Sequence, residues 1–171
     1  KKLEEELSSI LSSKGHHGVS KFKNIDFWFK PKVIESLAIL KTAINKIQDK
    51  DVKDFFLVCF SETVRDVSNT RNGEFKLYRM EEKNLAKHNP YVLAIFEKIA
   101  LTNIQGMKDY VKVKTNTKTE PKLYNSMSEL PLKENSVDLI VTSPPYGDSK
   151  TTVAYGQFSR LALQWLDYEE A

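Results

Sequence analysis

Leu3, Leu7, Ile10 and Leu11 stand at helical spacing among charges, which predicts an amphipathic helix over the first 13 residues. A break follows from Ser12 to Gly18. Val33, Leu37, Leu40, Ile44 and Ile47 form a second apolar stripe, with Pro31 suited to the first turn of its helix. A third helix runs to about Val67, with Asp51 placed as its N-cap. Its front, containing Phe55, Phe56, Val58, Cys59 and Phe60, is apolar nearly all round, so it belongs at the centre of a helical layer. A fourth pattern, opened by Pro90, carries Tyr91, Leu93, Ile95, Phe96, Ile99 and Ile104, with a possible bend at Gly106 and an end near Lys114. Residues 22–31 combine aromatics with lysines. They read as an apolar loop that tucks Phe27 and Trp28 under the helices, or as a segment that stacks bases and pairs phosphates.

Beyond these helices the pattern changes. Lys112-Val113-Lys114 alternates, and the polar stretch to Lys122 reads as a strand or linker. Leu123 to Ser126 reads as the end of a short strand. Leu139-Ile140-Val141 is a continuous apolar run bounded by turn-formers, the pattern of a buried strand in a parallel sheet. Pro144 and Pro145 stop it, because neither can donate a backbone hydrogen bond. Tyr155 to Leu166 carries Phe158, Leu161, Leu163, Trp165 and Leu166, a helix belonging to the core more than to a site. The expected architecture is α/β: a mostly α-helical region over 1–119 and a strand, loop and helix over 120–171.

Charge adds an asymmetry. The net charge is +3, yet residues 1–119 hold 22 basic against 15 acidic side chains, while residues 120–171 hold 4 against 8. A basic N-terminal part suits a phosphate backbone, and suits a solvated helical surface almost as well. Within it, the polar end of the third helix is the most site-like piece. Arg65, Arg71, Lys76 and Arg79 are its candidate DNA-facing residues, with a solvated, ion-paired face as the equal alternative. The lone Cys59 sits in an apolar run and reads as a core thiol in a reducing compartment. His16, His17 and His88 form no metal set with it, and no run has the length of a membrane span.

The chemistry concentrates at Thr142-Ser143-Pro144-Pro145-Tyr146. The stretch has no strong base, thiol or metal-ligand set; it has acceptors and a π-face. Ser143 Oγ and the Pro144 carbonyl can each accept a hydrogen bond from one amino group, and Tyr146 can stack on a flat ring. That arrangement suits the exocyclic amine of a nucleobase taken out of its helix. Two acceptors favour a pyramidal nitrogen whose lone pair is free to attack, so positioning supplies most of the rate.

Val-Asp-Leu-Ile-Val followed by Thr-Ser-Pro-Pro-Tyr, residues 137–146, resembles the catalytic motif of the S-adenosylmethionine-dependent DNA amino-methyltransferases. The run-up from Ser128 to Ser136 resembles the loop before it, and the likeness covers roughly residues 122–166. The resemblance implies a Rossmann-like methyltransferase sheet, of which this chain would be a fragment. It implies Ser143, Pro144, Pro145 and Tyr146 as catalytic residues. The serine form after threonine is most typical of the cytosine-N(4) branch, with adenine or an RNA base as rival targets and a non-catalytic helical binding module as the rival of another class. It further implies S-adenosylmethionine as cofactor, double-stranded DNA with a flipped base as partner, a possible companion restriction endonuclease, the remainder of the same polypeptide, and a cytoplasmic setting. Asn125 and Ser126 stand near the family's cofactor-facing position, but without its usual acidic residue. The six glycines do not form the family's Phe-x-Gly-x-Gly turn. The chain also opens within a helical pattern. Both features read as an incomplete enzyme that binds cofactor poorly and is inactive by itself.

Overall fold

The protein is seen in a computed structural model, which describes residues 1–15, 18–71, 73, 76–113, 116–122, 128, 132–142 and 155–168. The helices are α1 (Lys2–Leu11), α2 (Ile25–Trp28), α3 (Pro31–Asn45), α4 (Lys50–Val67), α5 (Glu82–Lys87), α6 (Val92–Val113) and α7 (Tyr155–Trp165). Helix α4 is the hub: it packs against α3, α6 and α7, while α1 closes over α3 and α6. Its buried stripe of Val52, Phe56, Cys59, Phe60, Thr63, Val64 and Val67 follows the helical repeat. Thr63 sits in that stripe because its hydroxyl donates to the Cys59 carbonyl one turn back, at 2.8 Å.

Helix α7 completes the core. Leu161 and Trp165 are buried, and the Trp165 ring meets the edges of Phe22, Phe29 and Phe60 at centroid separations of 6.0, 5.7 and 6.2 Å. Phe29 is therefore the buried aromatic of the 22–31 run, while Phe27, expected inside, lies at the surface.

The expected α/β architecture is not what the chain forms. Among the described residues the fold is all-helical, and the β pairing is a single antiparallel bridge between Thr70 and Arg79. The supposed buried strand lies in the open, with Leu139, Ile140 and Val141 at 78%, 77% and 87% exposure. A strand is buried only when neighbours take up its backbone hydrogen bonds and cover its faces. No described segment does either, so the Rossmann-like sheet is absent here. The alternating Lys112-Val113 likewise belongs to the last turn of α6, which runs unbroken through Gly106.

Two local differences have simple causes. Helix α4 is capped by Asp49, whose Oδ1 accepts from the N–H groups of Asp51 and Val52 at 3.0 and 3.1 Å; Asp51 lies in the first turn. Helix α5 was not expected, since one buried residue, Leu85, gives no periodic stripe. Cys59 is buried, its thiol pushed up by desolvation, and the Asn103 amide donates to its sulfur at 3.4 Å. Among the described residues no cluster could hold a metal ion, and no helix is long and apolar enough to cross a membrane.

Candidate nucleic-acid interface

Helix α4 ends where its sequence turns polar. Ser68 takes an extended backbone, and its hydroxyl donates to the Arg65 carbonyl at 2.7 Å, satisfying an acceptor that the helix leaves open. Asn69 then ties the turn to the 22–31 segment. Its N–H donates to the Trp28 carbonyl at 2.7 Å and its side-chain amide to the Phe27 carbonyl at 3.2 Å. Ser68, Asn69 and Thr70 are all buried, so this polar turn is a fixed part of the core.

From that anchor a short two-stranded ribbon leaves the bundle. Met80 N–H donates to the Asn69 carbonyl at 2.8 Å, and Arg71 N–H to the Tyr78 carbonyl at 2.9 Å. The pairing brings basic side chains onto aromatic faces. The Arg71 guanidinium lies 4.9 Å from the Tyr78 ring centroid, and that of Arg79 lies 4.5 Å from Phe27. Arg79 also donates through Nε to the Phe27 carbonyl at 3.1 Å and pairs with Glu82 at the same distance. On the other side, Arg65 lies 3.2 Å from the Phe158 ring centroid. Such stacks hold a guanidinium plane still while leaving its edge donors usable.

Arg65, Arg71 and Lys76 line one small hollow, together with Thr70, Leu77, Phe158, Leu161 and Ala162. Its volume is about 10 Å³, room for about one water, so this is a surface and not a ligand pocket. Arg79 joins the group through its bridge to Thr70. Burial pulls the Arg65 guanidinium down from its ordinary value against the opposing pull of Asp66. A guanidinium starts so high that it stays charged.

The structure thus gathers all four basic candidates, Arg65, Arg71, Lys76 and Arg79, on one face. It also shows residues that the sequence alone did not mark. Phe158 read only as a core position, and Tyr78 and Gln157 carried no signal; each is recruited by the ribbon. Gln157 accepts from the Leu77 N–H at 3.3 Å. Ser143, Pro144, Pro145 and Tyr146 lie outside the described residues, as do Asn125 and Ser126. Helix α7, which begins nine residues after Tyr146, carries Gln157 and Phe158 to the basic face.

The described residues do not form a cradle for S-adenosylmethionine. A methyl donor of this kind is held where a strand turns through close-approaching glycines into a helix. A Cβ added at Gly18, Gly73, Gly106 or Gly156 would meet nothing within 4 Å, so no backbone or ligand approach is built around these glycines.

No family model matches the chain, and no solved structure matches it. Over 168 residues, 93% of its length, it is 49% identical to the type II methyltransferase M.MvaI of Kocuria varians. The chain spans 37% of that protein. So wide an alignment takes in most of the helical hub and the Ser-Pro-Pro-Tyr stretch alike, and at this identity the chain belongs to the type II methyltransferase family, as a segment of about a third of its relative's length.

Proposed function

We propose that the protein containing this sequence is an S-adenosylmethionine-dependent DNA methyltransferase that modifies the exocyclic N4 amine of cytosine. The observation that carries the reading is the 49% identity to a type II methyltransferase across nearly the whole chain. The target follows from the motif. Ser143 Oγ and the Pro144 carbonyl accept the two amine hydrogens, Pro145 stiffens the turn, and Tyr146 stacks on the flipped ring. These groups bind and orient the amine and leave its lone pair directed outward. S-adenosylmethionine supplies the methyl group; residues other than those described hold it, with Asn125 and Ser126 as the candidates within the chain.

In this reading the helical part, residues 1–119, is the DNA-contacting unit and residues 120–171 carry the motif. Arg71, Lys76 and Arg79 meet the phosphate backbone, where charge-assisted bonds set orientation without reading sequence. A companion restriction endonuclease and a cytoplasmic setting are the biological context. The isolated chain binds cofactor weakly and is inactive.

The test is to treat DNA with the full-length product and S-adenosylmethionine and to identify the modified nucleoside by mass spectrometry. N4-methylcytosine supports the reading. N6-methyladenine keeps the enzyme and removes the cytosine assignment. Unmodified DNA across a range of substrates contradicts it.

A further inference from the structure

The C-terminal flank of the Ser-Pro-Pro-Tyr stretch runs into α7, and α7 is held at two levels. Its second half is locked into the core through Leu161 and Trp165. Its first half depends on the basic ribbon: Phe158 lies under the Arg65 guanidinium, and Gln157 takes the Leu77 N–H. Phe158 is 40% exposed, so apolar burial alone holds it only in part, and the guanidinium covers a ring face. Arg65 is fixed in turn. It leaves α4 one turn before the Ser68 cap, and its own backbone carbonyl takes the Ser68 hydroxyl at 2.7 Å.

We propose that Arg65 is a positioning residue: through Phe158 it sets the first turn of α7, and with it the exit of the Thr142–Tyr146 motif, relative to Arg71, Lys76 and Arg79. The inference rests on the methyltransferase reading. One stacked pair then keeps the base-binding motif in register with the groups that hold the DNA backbone. Lysine cannot replace arginine here, because a compact, strongly hydrated ammonium does not stack on a ring as a flat guanidinium does. A phosphate-binding Arg65 behaves differently, since lysine then preserves most of its contribution and any loss falls on DNA binding.

The experiment is steady-state DNA methylation by the full-length product, with Arg65→Lys, Phe158→Leu and Phe158→Tyr compared with the unaltered protein. Arg65→Lys and Phe158→Leu are expected to lower kcat by about tenfold or more, the order of loss for a displaced reacting group. The KM for DNA stays within about twofold, because the phosphate contacts are untouched. Phe158→Tyr keeps the ring and retains the unaltered rate. Thermal unfolding of Arg65→Lys stays close to that of the unaltered protein, which separates positioning from folding. A normal kcat in Arg65→Lys overturns the inference, as does a loss confined to the KM for DNA, or a Phe158→Tyr as slow as Phe158→Leu. Absence of methylation by the unaltered protein overturns the parent reading, and this inference with it.

Discussion

One carboxylate joins α1 to the start of α4: Asp49 uses Oδ1 to accept the N–H groups of Asp51 and Val52, and Oδ2 to accept the Lys2 ammonium. The Lys2 hydrogen bond, followed by that of Val52, holds the Asp49 carboxyl below its ordinary value. Glu4 is lowered by Lys108 and the chain N-terminus, and Asp109 by Lys112 and Gln105. A carboxyl lowered on folding stabilises above its unfolded pKa, and that contribution is lost as pH falls through the lowered folded value. Thermal stability should therefore fall as pH drops from about 5 into the carboxylate range. Asp49→Asn keeps a capping oxygen and flattens part of this dependence, whereas Asp49→Ala loses the cap as well. An unchanged pH profile in Asp49→Asn contradicts the assignment.

Trp165 gives a contrast within one side chain. Its ring fills the space between α4, α7 and the 22–29 segment, yet its indole N–H is buried without a partner among the described residues. Trp165→Ala should cost about 3–5 kcal/mol by leaving a cavity. Trp165→Phe should cost much less, since it also removes a donor that water no longer satisfies. Urea unfolding of both variants checks this; equal losses would contradict it.

The open segment at 139–141 makes a third prediction. A residue that touches little contributes little, so Ile140→Lys should shift the stability of this chain by no more than about 0.5 kcal/mol. The same change should reduce self-association, because an unpaired apolar segment is a template for other chains. Sedimentation and thermal unfolding measure the two effects. A large destabilisation would mean that the run is buried.

The basic face predicts a salt signature. Changing Arg71, Lys76 or Arg79 singly to Gln should weaken DNA binding by the full-length product. Each should lower the slope of log affinity against log salt by about one, the mark of one lost phosphate contact. Unaltered slopes in all three would remove the ribbon from the interface.

Much of the helical part was legible because apolar spacing reports a helix directly. Leu3 to Leu11, Val33 to Ile44, Phe56 to Val67 and Val92 to Ile104 all face the core as their repeats require. The run at 139–141 was misread for a physical reason: a short apolar stretch says that a segment would gain from burial, not that anything is present to bury it. Arg65, Arg71, Lys76 and Arg79 were legible as a group by charge. Their stacking on Phe158, Tyr78 and Phe27 was not, because it arises from the 69–71 and 78–80 pairing and from the return of α7 to α4.

The most direct test of the central claim is transfer of labelled methyl groups to DNA by the full-length product and by its Ser143→Ala variant, with the modified nucleoside identified. The account predicts N4-methylcytosine from the unaltered protein. It also predicts a severe loss in the variant, with folding unchanged, since a single hydroxyl at the motif adds little to the core. Equal methylation by both proteins, or label on adenine alone, would contradict it.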